Sequence, residues 1–402
     1  MDWEKRCHEL QLRVNELEIE NRELRCQLGL SDDGIMIETS PPEADLPVLC
    51  VNEAPHVHMR STPEEKIRLF RSLFRGRDDI FAKRYYNPKT EKSGYTPVCA
   101  NEWKYGICIR PKGKCPKCKN RSHVPLDDAV IYKHLSGKAP HGEDVVGVYP
   151  ILQDDTCYFL AIDFDDGAWQ YNVSAVRKAC VDWNIPCAIE RSRSGEGAHL
   201  WVFFSDAVPC SNARKLGSAL LTAAMEREGK MKLDAYDRMF PCQDTLPSGG
   251  FGNLIALPLQ GQARKNGNSV FVDEAFTPYP DQWAYLSALQ TMTANELDML
   301  IHAHCHGEAL GKLCSVSSET NPWEKKTAVK LNAIDFYGTQ QIIRSNMIYL
   351  PADGFSPRAR NQLLRLAAFR NPEFYKAQAM RLSIYNIPRI ICAAEERNGY
   401  LA

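Results

Sequence analysis

The sequence predicts an α+β protein, with a sheet packed against helices at its centre and a small cysteine-rich segment ahead of it. Three observations carry this expectation. Between about residues 145 and 290, runs rich in β-branched and aromatic residues alternate with runs of helical character. One of the apolar runs, Tyr158 to Phe164, ends in the pair Asp163 and Asp165, spaced as two neighbours on one face of a strand. Upstream, Cys99, Cys108, Cys115 and Cys118 fall close together, the last two framing a Cys-x-x-Cys knuckle.

The strand-like runs are Val145 to Ile151, Cys157 to Phe164, Cys187 to Arg191 and His199 to Phe204, and the helical ones are Asn172 to Asn184 and Asn212 to Arg227. A helix opens at Thr62-Pro63-Glu64-Glu65, where Thr62 caps, Pro63 suits the first helical position and Glu65 completes a capping box. It carries Ile67, Phe70 and Phe74 inward and Arg68, Arg71 and Arg75 outward, a basic face that serves either as solvated surface or as a nucleic-acid contact. At the N-terminus, Trp3, Leu10, Leu17 and Leu24 recur every seventh position, with Cys7, Val14, Asn21 and Leu28 on the other seam, which reads as a short coiled coil that would form a homodimer or as a single amphipathic helix lying on the rest of the protein. The domain reading is therefore a coiled-coil helix over 1–28, a proline-containing linker over 29–60, a helical and zinc-binding segment over 61–125, a core over 126–290 and a mainly helical region over 291–402. That last region includes Pro357 to Ala368 and Pro372 to Ile384, then returns to a strand-like run from Arg389 to Ala402, as if the chain led into a further domain.

At 402 residues the chain is too long for one typical core. No apolar run approaches the roughly 20 residues that cross a bilayer, and residues 1–28 are too charged for a secretory signal. The expectation is a cytoplasmic protein whose 15 cysteines are reduced thiols or metal ligands. The formal net charge of -1 conceals a sorted distribution, since acidic residues dominate before about residue 55 and basic ones from Arg60 to Arg121. Only the second region has the charge to follow a phosphate backbone.

Two carboxylates side by side repel unless solvent or a divalent cation neutralises them. Asp163 and Asp165 thus read either as a polar strand end running into a turn or as a magnesium or manganese site that receives a phosphate ligand. The four cysteines read as a closed, structural zinc site, with His123 as a substitute ligand; unrelated buried thiols and a redox Cys-x-x-Cys pair are the alternatives. After the aspartate pair comes Ser192-Arg193-Ser194-Gly195-Glu196-Gly197-Ala198-His199, leading into the strand Leu200 to Phe204. Glycines let backbone approach an anion, and Ser194 and His199 offer donors to phosphate oxygens; a plain hairpin-like turn is the other reading.

The combination is more specific than its parts. An apolar strand ending Asp-x-Asp, a Ser-Gly-x-Gly-x-His strand entry and a further aspartate resemble the archaeo-eukaryotic primase superfamily of primases and primase-polymerases. The run Tyr236 to Asp244, followed by Gly249-Gly250-Phe251-Gly252-Asn253 and on to Gln260-Gly261, is similar to the primase module of TOTE conflict systems. The resemblance covers about residues 80 to 290 well and the segment from 320 onward loosely. It implies a central RRM-like antiparallel sheet packed by helices, and a DNA primase-polymerase that joins nucleoside triphosphates on a single-stranded DNA or RNA template with two magnesium or manganese ions, in defence against mobile elements. It implies metal ligands at Asp163, Asp165 and a third aspartate, Asp237 before Asp244 and Asp234, and nucleotide contacts at Ser194, His199 and Arg238; Asn253, Gln260 and Arg264 read either as nucleotide or template contacts or as loop-shaping residues. Family members continue into a helicase, in cis here or supplied in trans; the present sequence reaches Ala402 without helicase nucleotide-binding motifs. A silent nucleic-acid-binding adaptor and a metal-dependent nuclease are the competing functions.

Overall fold

Apolar residues alternating with polar ones make strands only if each strand finds a partner for its backbone and a cover for its apolar face. A computed structural model describes residues 56–402, except 111, 114, 116–117, 166, 228–237, 306–330 and 346. It pairs the strands into two antiparallel sheets. The first contains β1 (Ala82–Asn87), β2 (Lys92–Pro97), β3 (Val146–Val148) and β8 (Ile255–Ala256), in the order β2-β1-β3-β8. The second contains β4 (Thr156–Phe164), β5 (Ala188–Arg191), β6 (Ala198–Pro209), β7 (Met239–Phe240) and β9 (Val270–Val272), in the order β7-β4-β6-β5-β9. Helices Trp169–Asp182 and Cys210–Arg227 follow β4 and β6, so the succession is β-α-β-β-α-β with β4 and β6 central. This is the winding expected of an RRM-like sheet, with β9 added at the β5 edge.

Both faces of the second sheet are covered. Gly217 of helix Cys210–Arg227 lies against Leu160 and Met239, which places that helix on the Leu160 and Ile162 side of β4. On the other side, Phe74 at the end of helix Pro63–Leu73 meets Trp201 and Phe203 edge-on at 5.1 and 5.2 Å. Edge-to-face rings are preferred because the positive rim of one meets the negative face of the next. The capping box that starts this helix is formed, Thr62 Oγ1 accepting from Glu65 N–H and Glu65 accepting from Thr62 N–H. Of the expected linker, residues 57–59 are tied to the far side of the core: Val57 N–H donates to Ser287 Oγ and Met59 N–H to Asp281 Oδ2. The coiled coil and the rest of the linker lie outside the described residues.

The C-terminal region differs from a mainly helical expectation. Helices Pro357–Leu366 and Pro372–Ala379 are present, but they are interleaved with short strands: β10 (Ile343–Arg344), β11 (Ile348–Pro351), β14 (Glu396–Arg397) and β15 (Tyr400–Leu401) form one sheet, and β12 (Ala368–Arg370) pairs with β13 (Ile390–Cys392). Strands this short leave little period-2 pattern to read. The region packs on helix Cys210–Arg227 through polar links, including Asn361 Nδ2 to Met225 O at 2.7 Å, Arg365 to Glu226 at 3.1 Å and Arg389 to Ser218 Oγ at 2.9 Å.

One buried titratable group ties helix Asp128–Ser136 to the first sheet. His134, on helix Asp128–Ser136, accepts the Val146 N–H at Nδ1 (3.1 Å), so Nε2–H donates to Pro258 O (2.9 Å), and the ring is neutral. Burial pushes its pKa down to about 4. Below its unfolded value near 6.5 the unfolded chain binds a proton that the folded chain refuses. The stability this group contributes is therefore complete above about pH 6.5 and is lost as pH falls towards about 4, a total of about 3 kcal/mol. We expect the urea midpoint of the wild-type protein to fall over this window more steeply than that of His134→Gln. Carboxylates that titrate in the same range cancel in the comparison, and equal slopes would contradict the assignment.

Candidate active site

Cross-strand register builds the site. In the antiparallel pairing of β4 with β6, Asp163 stands opposite His199, and in that of β6 with β5, His199 stands opposite Glu190. Directly opposed residues share a face, so these three side chains form one row across the sheet. The row is bonded: His199 Nδ1 lies 2.6 Å from Glu190 Oε2, and His199 Nε2 lies 3.5 Å from Asp163 Oδ1. Trp201 adds a longer indole N–H contact to Glu190 Oε2 at 3.4 Å. Exposure increases along the row. The Glu190 side chain is 2% exposed, His199 14% and Asp163 28%, so one end is anchored in the core and the other is open to a ligand.

Asp165 follows the end of β4, its side chain 60% exposed and paired with Arg238. Arg238 also accepts the Asp163 N–H at its carbonyl (2.9 Å), so the residue before β7 holds both aspartates of the pair. The Ser192–His199 turn folds over the same strand end. Gly197 is required there, because a Cβ would stand 2.6 Å from the Phe164 carbonyl oxygen. At its tip Ser194 Oγ lies 3.1 Å from Ser192 Oγ and accepts from Glu196 N–H at 3.3 Å. Asp163, Asp165, Ser194, His199 and Arg238 are thus gathered at one end of the sheet.

Electrostatics set the charge of His199. Burial favours the neutral ring, but the Glu190 charge, its hydrogen bond and the Asp163 charge together outweigh burial and hold the imidazole pKa above its ordinary value of 6.5. Two hard-oxygen donors open to solvent suit magnesium or manganese, which bind through one or two carboxylates completed by water and substrate phosphate. Among the described residues no group of three or more His, Cys, Asp or Glu stands as a ready cage for a metal ion.

Other expected site residues lie elsewhere. Asp234 and Asp237 fall outside the described residues. Both oxygens of Asp244 are engaged by the scaffold, one by Arg214 (2.6 Å) and the other by Gln378 Nε2 (2.7 Å). Gln260 is 2% exposed and caps helix Gly261–Lys265, its Oε1 accepting from Ala263 N–H and its Nε2 donating to Asp144. Arg264 donates to Leu135 O at 2.8 Å. Both reach the Ser192 turn only through backbone, by way of the Leu259–Ser269 and Ser269–Ser192 bonds. Asn253 is exposed in the coil before β8, in the first sheet. Cys99, Cys108, Cys115, Cys118 and His123 line one cavity, with His123 opposite Cys99 in an isolated bridge.

Glu190 is the residue that sequence reasoning missed. An acid within Ala188-Ile189-Glu190-Arg191 looks like the solvent face of an edge strand. A signal was present in hindsight: Glu190 and His199 stand symmetrically about the Ser192–Gly197 turn, so a hairpin pairing there had to oppose them. We expect Glu190→Gln to lower the His199 pKa in metal-free protein, because the charge and hydrogen bond that raise it are removed. Folding stability due to this pairing is complete below about pH 6.5 and is lost as pH rises through the raised value, so the variant should also lose stability on the acid side. Imidazole chemical shifts followed by NMR against pH check this, and an unchanged titration would refute it.

Comparison with known protein families places the chain. A family model described as the TOTE conflict system, Archaeo-Eukaryotic Primase domain, matches residues 65–300. Among solved structures, the polymerase domain from Mycobacterium tuberculosis Ligase D in complex with DNA matches with 15% identity and a TM-score of 0.29, over 62% of this chain and 90% of that one. None of the curated proteins matches. The family match spans more than half of the chain and contains every residue of the row, the turn and the aspartate pair. The chain belongs to the archaeo-eukaryotic primase domain family of TOTE conflict systems.

Proposed function

We propose that this protein is a template-directed nucleotidyltransferase, a DNA primase-polymerase that adds nucleoside triphosphates on a single-stranded template. The observation that carries the reading is the meeting, at one sheet end, of two solvent-open carboxylates with a histidine bonded to a buried glutamate. Asp163 and Asp165, with Asp237 as third ligand, would hold two divalent ions. When bound, magnesium or manganese lowers the pKa of the attacking 3′ hydroxyl and neutralises charge on the leaving pyrophosphate. The protein's own groups act on the triphosphate: the His199 imidazolium donates to a phosphate oxygen through Nε2, and the Ser194 hydroxyl donates from the tip of the turn. Glu190 takes no part in bond making. It keeps the ring oriented and charged.

Arg238 has a second role in this scheme. Paired with Asp165, its guanidinium neutralises the carboxylate that would otherwise repel Asp163, and with divalent ions held by the aspartates it would bind phosphate instead. The setting we propose, a mobile-element conflict system, is supported by the description of the family that matches. A primer-free single-stranded template incubated with manganese or magnesium and labelled ribo- or deoxyribonucleotides tests the activity and its sugar preference, with a nuclease control in the same gel. Asp163→Ala combined with Asp165→Ala should abolish incorporation, by at least a thousandfold, and leave single-stranded DNA binding within about twofold, as expected when electrostatic stabilisation of the reacting phosphate is removed. Full activity in the double variant would rule out this mechanism.

We also propose that Cys99, Cys108, Cys115 and Cys118 hold a structural zinc ion. The four thiols are free, partly exposed and turned to one cavity in a segment with few buried apolar residues, which is the donor chemistry of such a site. Elemental analysis of purified protein should give one zinc per chain, falling to none in Cys115→Ser combined with Cys118→Ser, with a lower melting temperature. A zinc-free wild-type protein of unchanged stability would remove the ion from the scheme.

A further inference from the structure

The family match ends at residue 300, yet side chains well beyond it are bonded to the loop that leaves β7. That loop, residues 241–248, runs from the strand beside the aspartate pair back to the turn before β4. Cys242 is buried with Phe374, Ala377 and Ile384 in a small apolar cluster separate from the main core. Gln378, on helix Pro372–Ala379, grips Asp244 with its whole amide: Oε1 accepts the Asp244 backbone N–H (3.0 Å) and an Arg214 N–H (3.3 Å), while Nε2 donates to Asp244 Oδ2 (2.7 Å). Its backbone carbonyl accepts from Thr245 Oγ1 at 3.2 Å. Arg381 completes the contact. Its guanidinium forks onto the two Asp155 oxygens at 3.0 and 2.6 Å and donates to Leu246 O at 3.1 Å, and its carbonyl accepts the Ser248 N–H at 2.8 Å. Asp155 accepts the Leu246 N–H at 2.7 Å from the other side.

β7 needs this support. It has two residues, it stands at the edge of its sheet, and it pairs with β4 at Ala161 and Ile162, with Met239 against Gly217 of helix Cys210–Arg227. A strand this short has few ladder bonds, so it opens locally at little cost unless something else fixes it. Arg238, the residue before it, performs two tasks at the aspartate pair: its carbonyl accepts the Asp163 N–H at 2.9 Å and its side chain pairs with Asp165. Any slip of β7 moves both contacts together. Asp244 lies six residues further on, so fixing it to Arg214 and Gln378 anchors the far end of the same short stretch.

We propose that Gln378 and Arg381 are positioning residues for the active site: through the loop 241–248 they hold β7 in register, and so keep Arg238 on Asp163 and Asp165. Neither side chain touches the site itself. The unit that carries the chemistry therefore extends into the C-terminal region. The link to nucleotide addition rests on the polymerase reading, whereas the link to Arg238 does not. The two residues contribute unequally. Arg381 and Asp155 have side chains 46% and 23% exposed, so water and salt screen that pair, whereas Arg214 beside Asp244 is 2% exposed and becomes an uncompensated buried cation if its partner is displaced. Gln378 is the stronger of the two.

The test uses the whole chain and two readouts, hydrogen exchange resolved to single amides and nucleotide incorporation. Gln378→Glu keeps the shape of the side chain but sets a second carboxylate against Asp244. It should speed exchange of the Asp163 amide, whose acceptor is Arg238, by about tenfold and leave the amides between β5 and β6 within about twofold. Arg381→Ala, which buries no charge, should speed the same amide by about threefold. Combining Gln378→Glu with Asp244→Asn swaps amide and carboxylate across the contact, leaves a carboxylate beside Arg214 and should restore the wild-type rate at Asp163. A loss of general stability would instead raise exchange throughout the sheet. In the incorporation assay Gln378→Glu should need about tenfold more manganese for half-maximal rate, and the swapped pair no more than the wild type. An Asp163 amide unchanged in both single variants, or a swapped pair no better than Gln378→Glu, would overturn the positioning role. Faster exchange that the swap restores, in a protein that incorporates no nucleotide, would uphold the hold on Arg238 and remove the polymerase; faster exchange with an unchanged manganese requirement would leave the polymerase standing and overturn the bearing of these residues on its reaction.

Discussion

Everything in the site depends on the register that sets Asp163 against His199 and His199 against Glu190. In a sheet a slip of one residue turns every side chain to the opposite face. Here it would place Asp163 among Leu160, Ile162 and the helix Cys210–Arg227, where an uncompensated carboxylate is costly. The apolar groups enforce the alternative. Trp201 lies two residues along β6 from His199 on the same face, locked by Phe74 and Phe159, and its indole N–H also reaches Glu190. One ring thus joins the aromatic core to the charged row, so packing and chemistry select the same pairing.

The row is also an electrostatic gradient. A glutamate that is almost completely buried would ordinarily be a liability, and its cost is offset by a hydrogen-bonded imidazole and an indole N–H. In return the buried charge acts on His199 with little solvent screening, which is why it can overcome the desolvation of the ring. Asp163, at the open end, remains accessible to ligands. The three residues differ in role because they differ in depth, although they occupy equivalent positions on adjacent strands.

Charged residues around β7 are divided between site and scaffold in a similar way. Arg238 enters β7 and serves the aspartate pair, whereas Asp244, six residues on, is bonded to Arg214 and Gln378 and joins the core to the C-terminal region. Arg214 is itself buried, and burial lowers its pKa, so it requires this partner. Gln260 and Arg264 belong to the same class of structural polar groups. Their side chains shape the loop that supports the Ser192 turn from behind.

Much of the fold was legible because it depends on local signals. The capping box at Thr62, the β-branched runs and the glycine turn before His199 each declare themselves within a few residues, and the succession of strands and helices follows. Asp163, Asp165 and His199 were readable because the paired acids, the glycine-led histidine and a further aspartate occur together in one chain, a combination more specific than its parts. Glu190 was not, since only strand pairing decides whether an acid faces water or a partner, and pairing is a property of two segments at once. The partners that Gln260, Arg264 and Asp244 bond were decided between segments for the same reason. The sequence by itself determined which elements form and which residues carry chemistry; the tertiary structure alone decided which of those residues meet, because register and burial arise between segments and leave no mark within one.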